Sequence, residues 1–555
     1  MTSTQSGRAH KPGAAAVIGL LVASYLLINL ILGLHRWLPN PGLFRMLAPT
    51  VESAVVLAAL VLLSRLKEDR ARVWLVVLAV LTTVIAIWGI GEAFYRTIFR
   101  QSFVPWTDLA FLPALLNMVS GTELFSLWFV LAIPVVLLVA LVTFLVYLAF
   151  RGMNQVLGDL GPHAYIAGVV ILAGLSVPNM LSPSVPLSVR LVRNALPAGS
   201  NDVVLEEQLA EVRDRNRATA TDRGSQYELP GIRDRDVHLM IVESYGHTLH
   251  TNPAHRPLFY PSAIEFDKTL RGAGYLVVSH FLESPAFGGR SWLADASILT
   301  GVFLDTQARY EAILDEDVRN LSHKMGDAGY HRIFAAPGSY FTTRRWRDFY
   351  RYDEYFLRED FGYQGRVISF GNMPDQYMLY RMHQHKEQLV ASGMRPMFLN
   401  YILVSSHVPF YRVPTYVEDW DRLGDGSRYN DIPIRFFANN WISGGEYPEG
   451  YVTSIDYVLR TVTDYITRII DEDDIYIIVG DHQPRQPISE DDASFSVPIH
   501  VITRDREIAD AFRFYGFEYG LWTEQPLPHP GMDEFLPMFD EIASGQTAGM
   551  MLFAR

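Results

Sequence analysis

The chain has 555 residues, more than one ordinary domain accommodates. Its net charge of −13 gives it no basic field with which to attract nucleic acid. It contains no cysteine, which rules out disulfides, thiolate metal sites and cysteine nucleophiles.

Hydrophobicity is uneven. Residues 1–181 are strongly apolar and the rest is balanced, so a membrane portion is expected to precede a globular one. A span needs about 20 apolar residues. Five stretches qualify: Gly13–Leu34, Leu47–Leu63, Val73–Phe94, Leu124–Phe150 (with Pro134 inside it) and Ala164–Leu181. The first follows a basic start, lacks a cleavage site and reads as a retained anchor. Arg8 and Lys11, then Arg65, Lys67, Arg70 and Arg72, then Arg151 all fall on one side. By the positive-inside rule that side is cytoplasmic, although Arg36, Arg45, Arg96 and Arg100 oppose it. An odd number of spans then places everything after Leu181 outside the cytoplasm of a plasma (inner) membrane. Glu52 and Glu92 are read at the membrane interface rather than within it. The aromatic, basic loop Phe94–Leu116 is read as lying on the outer leaflet. No paired halves or broken spans point to a transporter.

Residues 182–235 read as a juxtamembrane linker with a solvated helix over Glu206–Arg217. From Asp236 to the end, apolar runs alternate with helical stretches. Strands are expected at Val237–Val242, Tyr275–Val278, Arg332–Ala335, Met397–Val404, Ile475–Val479 and Ile499–Ile502. Helices are expected at Glu311–Ala328, Asp375–Leu389 and Tyr451–Ile470. This alternation predicts an α/β domain with a mostly parallel central sheet. In such sheets ligands gather beyond the carboxyl ends of the strands.

Chemistry collects at those ends. Val237–Val242 runs into Glu243, Met397–Val404 into Ser405-Ser406-His407, and Ile475–Val479 into Gly480-Asp481-His482. Each alone also fits a cap, a turn or a core histidine, and together they point to a site. Gly288-Gly289-Arg290-Ser291 leads into the helix-favouring run Trp292–Leu299, closed by Gly301. A serine at a helix N-terminus meets unpaired N–H groups and a partial positive charge, which suit a nucleophile receiving an anion. The expected site is one divalent metal on Glu243, Asp481, His482 and Ser291, with Mn²⁺ favoured and Zn²⁺, Mg²⁺ or Ca²⁺ allowed. Such an ion lowers the serine pKa. His407 is placed as the proton donor to a leaving alcohol or as a substrate ligand. One of Arg344, Arg345 and Arg347 is expected to grip a phosphate, with Arg345 preferred. Trp346 and Trp292 are expected to line the pocket.

Five spans, a linker, then V-E-S-Y-G, G-G-R-S-W-L-A, S-S-H-V-P-F and V-G-D-H-Q resemble the lipoteichoic acid synthase group. That group, with its phosphoglycerol and phosphoethanolamine transferase relatives, belongs to the alkaline phosphatase/sulfatase superfamily. The resemblance implies a metal, often manganese, held by Glu243, Ser291, Asp481 and His482, with His407 near the substrate. It also implies a phosphoryl-linked headgroup taken from a membrane phospholipid donor onto Ser291 and passed to a glycan or lipid acceptor. Two departures are visible. The synthases carry threonine where this chain has Ser291, and Phe334-Ala335-Ala336-Pro337-Gly338 lacks a histidine of their glycerol-phosphate site. Both point to a relative that transfers a single headgroup or hydrolyses. The competing enzyme reading is a sulfatase-like phosphodiesterase or sulfuric-ester hydrolase. The C/S-x-P-x-R motif that sulfatases oxidise is missing around Ser291. A membrane-anchored binding domain with a decayed site is the non-enzyme reading, and the complete ligand set opposes it.

Overall fold

A computed structural model describes residues 22, 25–34, 42–47, 50–104, 108, 125–159, 203–223, 228–232, 235–339, 342–368, 373–437, 447–470 and 472–546. The chain divides into two compact units, Met1–Pro197 and Ala198–Arg555.

In the first unit, helices α1 (Val51–Leu63), α2 (Glu68–Phe99) and α3 (Phe125–Asp159) cover the second, third and fourth expected spans. The segments Glu68–Phe99 and Pro134–Leu157 are long and apolar enough to cross a membrane, and α1 is shorter. The expected span at Ala164–Leu181, and all of Gly13–Leu34 except residues 22 and 25–34, lie outside the described residues. The helices pack on one another through Leu60, Leu75, Ala79, Phe150 and Met153 and expose other apolar side chains such as Val73, Trp74, Leu81 and Leu137. Glu92 is fully buried and structural. It pairs with Arg96 Nε at 2.8 Å and accepts the Phe103 N–H at 2.8 Å, folding the chain back after α2. Gly91 makes room for that return, since a Cβ there would meet the Phe103 ring at 2.6 Å.

In the second unit, α4 (Val203–Arg223) comes first. It is not the solvated helix expected of a linker. Leu205, Leu209 and Val212 fall on one side at helical spacing and join the core of the α/β domain.

Eight strands make one sheet: β1 (Val237–Val242), β2 (Leu276–Glu283), β3 (His331–Ala336), β4 (Glu354–Leu357), β5 (Met397–Leu403), β8 (Ile475–Gly480), β9 (Ser496–Thr503) and β10 (Glu518–Tyr519). β6 (Arg412–Val413) and β7 (Arg435–Phe436) form a separate ribbon. The order is β10-β2-β9-β8-β1-β5-β3-β4. β8, β1, β5, β3 and β4 run parallel, and β9, β2 and β10 add antiparallel pairs. Helices cover both faces, so the central strands are buried on both sides and read as continuous apolar runs. Val237, Leu239 and Ile241 pack with α4 and with α6 (Ser291–Thr300), α11 (Arg506–Phe514) and α12 (Phe535–Ala543). Met240 and Val242 pack with α5 (Arg256–Gly272), α9 (Asp375–Ala391) and α10 (Tyr447–Asp464).

The expected helix Glu311–Ala328 is two helices. α7 (Gln307–Ile313) stops before the acidic run Asp315-Glu316-Asp317, and Asn320 caps a second helix, Leu321–Asp327, by accepting the His323 N–H. The run Arg344–Tyr350 forms α8.

Candidate active site

β1 sits between β5 and β8, with Val242 level with both Leu403 and Gly480. The next residues of two neighbouring strands are therefore Glu243 and Asp481, side by side at the carboxyl edge. Glu243 N–H donates to Leu403 O at 3.0 Å and Asp481 N–H to Val242 O at 3.2 Å, carrying the ladder one step past the strands. Only glycine fits at 480, because a Cβ there would collide with the Tyr245 carbonyl. Ser244 turns at φ 59°, and its N–H donates to Asp481 Oδ1 at 2.7 Å. A left-handed non-glycine residue costs roughly 1 kcal/mol or more, and here the site's own hydrogen bonds hold it.

Ser291, the expected nucleophile, enters from the other side. Gly288, Gly289 and Arg290 all have positive φ (68°, 145° and 66°), which reverses the chain and starts α6 at Ser291. Glycine is required at the first two positions. Ser291 Oγ then lies 3.0 Å from Glu243 Oε2 and 3.3 Å from His482 Nε2. His482 Nε2 lies 3.3 Å from Glu243 Oε1 and 3.6 Å from Asp481 Oδ2. The His482 Nδ1–H donates to Gln483 O at 2.8 Å, which fixes the ring with Nε2 facing the carboxylates.

Glu243, Asp481 and His482 are all buried, and their ligand atoms lie within 4.8 Å of one another. Burial and the charge of Glu243 push Asp481 up to about 8. Burial opposes charge on His482 as well, but Asp481 and Glu243 outweigh it and raise that imidazole to about 9. Glu243, against its own burial, is held well below the usual carboxylate range by His407 and His482. Two buried carboxylates that draw a neighbouring imidazole toward its cationic form demand positive charge. The donor set, two carboxylates, one imidazole nitrogen and a hydroxyl, fits a single divalent ion such as Mn²⁺ or Zn²⁺.

His407 follows β5. Its loop is pinned by Asp375, which accepts the N–H groups of Val404 and Ser405 at 2.9 Å each, and by Ser406 Oγ–H, which donates to Glu243 O at 2.6 Å. Burial lowers the His407 pKa, while Glu243 raises it and His482 and Arg485 lower it. His407 thus shares the electrostatics of the site.

The structure does not bring Arg345 there. Its guanidinium is engaged by Asp315 and Glu311, because the acidic run after α7 faces α8. Arg344 is 94% exposed, and Arg347 lies over the Tyr355 ring and donates to Thr342. Trp346 packs on Phe334 and Tyr350 as part of the aromatic core instead of lining the site. Trp292 follows the nucleophile, and its indole N–H donates to Gln307 Oε1 at 2.8 Å. Gln307 donates in turn to Glu311, so Arg345 reaches the nucleophile's helix only through that chain.

Two groups escaped the sequence reading. Arg485, three residues beyond His482, acts on His407. Asp295 sits one turn after Ser291, and burial with the charges of Asp481 and Glu243 pushes its carboxyl well up. An acid four residues after the serine in an otherwise apolar helix was a readable signal.

No protein-family profile and no curated protein matches the chain. Similar solved structures exist. The lipoteichoic acid synthase LtaP from Listeria monocytogenes is 14% identical, with 52% of this chain and 71% of that one covered at TM-score 0.35. The phosphoglycerol transferase GacH from Streptococcus pyogenes, solved with sn-glycerol-1-phosphate, is 12% identical, with 63% and 94% covered at TM-score 0.35. The periplasmic domain of EptC from Escherichia coli is 14% identical, with 49% and 73% covered at TM-score 0.32. In its sequence motifs the chain resembles the lipoteichoic acid synthase group of the alkaline phosphatase/sulfatase superfamily. That resemblance rests on the motifs around Glu243, Ser291, His407 and Asp481-His482, now seen to converge.

Proposed function

We propose that this is a metal-dependent phosphotransferase of the membrane. It moves a phosphoglycerol- or phosphoethanolamine-type headgroup from a phospholipid to an extracytoplasmic glycan or lipid. The observation that carries the reading is the placement of Ser291: a hydroxyl at a helix N-terminus, 3.0 Å from one member of a metal-competent group and 3.3 Å from another. When bound, a divalent ion there supplies the positive charge that lowers the serine pKa and offsets charge on the phosphoryl oxygens.

The chain's own residues then divide the work. Glu243 and His482 hold Ser291 Oγ, and the N-terminal N–H groups of α6 face the incoming anion. Ser291 Oγ, its proton lost to solvent, bonds to phosphorus and the bond from phosphorus to the diacylglycerol oxygen breaks. Protonated His407 delivers a proton to that oxygen, so diacylglycerol leaves neutral. An acceptor hydroxyl next attacks the phosphoserine and gives its proton to the now neutral His407, while the Ser291–phosphorus bond breaks and Ser291 leaves as the alkoxide it began as. In this reading Arg485, whose charge is felt by His407, pairs with the phosphate.

The same reading includes five spans, a short juxtamembrane connector and an outer catalytic domain. Two apolar helices of spanning length support it. The cysteine-free chain allows a clean test of sidedness. A single cysteine replacing Arg344 should react with an impermeant maleimide added to intact cells, and one replacing Glu68 should react only after lysis. The reverse pattern would overturn the topology.

The function itself is tested with purified protein, manganese and a panel of fluorescent phospholipids. Diacylglycerol release from phosphatidylglycerol or phosphatidylethanolamine by wild type and not by Ser291→Ala is expected. Release by both proteins alike would refute the nucleophile.

A further inference from the structure

α6 is mostly apolar, and its inner hydroxyls are satisfied within the helix, Ser297 by Leu293 O and Thr300 by Ala296 O. Leu293, Ala294, Ala296, Ile298 and Leu299 are buried, and they pack it into the core. Asp295 interrupts that run. Four residues after Ser291, it lies on the same helix face as the nucleophile, about 6 Å away at the Cβ level. Its Oδ1 is shut off from solvent and has no hydrogen-bond partner among the described residues. A buried acceptor without a partner is destabilising, and an alanine or leucine would remove that penalty in such a helix. A role in packing does not account for it.

Nor does the metal group. That group comprises Glu243, Asp481 and His482, and Asp295 is not a member. Its charge is also felt by Tyr310, Tyr350 and Tyr352 of the aromatic core. The carboxyl therefore lies on the helix face of Ser291 with an oxygen that no described residue bonds.

We propose that Asp295 is a specificity-determining residue, whose unpartnered oxygen accepts a hydrogen bond from a donor group on the headgroup held beside Ser291. The inference rests on the phosphotransferase reading. Two headgroups carry the required chemistry, a glycerol hydroxyl or an ethanolamine ammonium. A site built around such a bond rejects a substrate lacking the donor far more strongly than a merely apolar pocket can.

The experiment compares wild type, Asp295→Ala and Asp295→Asn. The substrates are phosphatidylglycerol, phosphatidylethanolamine and bis(p-nitrophenyl) phosphate, a diester with no donor. The alanine variant should lose at least a hundredfold in kcat/KM on the preferred lipid. It should stay within about threefold of wild type on the donor-free diester, with unchanged metal content. Asparagine keeps an acceptor oxygen but no charge. It should restore most activity if the donor is a hydroxyl and little if it is an ammonium. Equal losses on lipid and donor-free diester, or no loss on either, would overturn the proposal. Wild-type cleavage of the diester without headgroup release from either lipid would overturn it too, leaving diester chemistry intact. No cleavage of any of the three by wild type would instead bring down the function on which the proposal rests.

Discussion

The strands β1 and β8 begin and end beside acidic triads, and the two triads differ in one respect. At the carboxyl edge stand Glu243, Asp481 and His482; at the amino edge stand Asp236, Glu472 and Asp474, equally close together. The amino-edge group surrounds a protein cation. Lys386 Nζ lies 3.1 Å from both Asp236 and Glu472 and pairs with Asp474, Arg395 adds a second positive charge, and His238 bonds Asp474 at 3.1 Å. The carboxyl-edge group has no lysine or arginine of this kind among its described ion pairs, and the positive charge it feels comes from the imidazoles of His482 and His407. Clustered carboxylates are thus a structural clamp where the chain supplies the cation, and a candidate metal site where it does not. Ser291, the proposed nucleophile, stands at the second.

The comparison breaks most sharply at Ser291. Ser291→Ala should cut turnover by at least about a thousandfold, as loss of a nucleophile does, while the three remaining ligands keep metal in place. Retained turnover would make the carboxyl edge another clamp. At the amino edge, Lys386→Met should leave three acids with only the half-exposed Arg395 and the His238 ring to balance them. It should cost about 3–5 kcal/mol in denaturant unfolding, as removal of one partner of a buried ion pair does. A neutral result would mean that Lys386 does not balance the group.

Acid should discriminate the edges next. Burial would raise the Asp474 pKa, but bonding to His238 and the charge of Lys386 lower it to about 2. A depressed carboxylate stabilises the fold above its unfolded pKa near 4, and that stability fades as pH falls toward 2. The amount is about 2 kcal/mol for a shift of this size. Unfolding measured from pH 5 to pH 2 should show that slope in wild type and a shallower one in Asp474→Asn. Metal-induced stabilisation is of similar size. Manganese or zinc at a hundred times its Kd should add about 2.7 kcal/mol to wild type and nothing to Asp481→Asn.

Much of this was legible because the signals were local. Glu243, His407 and Asp481-His482 each end an apolar strand run, and Gly288-Gly289 announces the turn before Ser291. The rest depended on contacts distant in sequence. Lys386 and Asp474 meet from 88 residues apart, and nothing near either one says so. In Arg344-Arg345-Trp346-Arg347 the three arginines are chemically alike. Only the position of Glu311 and Asp315 decides that Arg345 belongs to a surface network. The short edge strands β4 and β10 carry too few residues for a period-two pattern, and the antiparallel half of the sheet leaves no mark on local composition. Leu205, Leu209 and Val212 had the spacing of a buried stripe, masked by the charges around them.

The most direct test of the distinction between the edges is elemental analysis of purified protein. Wild type should carry one divalent ion per chain, Glu243→Gln and Asp481→Asn should lose it, and Asp474→Asn should keep it. Metal retained by the carboxyl-edge variants, or lost in Asp474→Asn, would contradict the assignment of the metal centre.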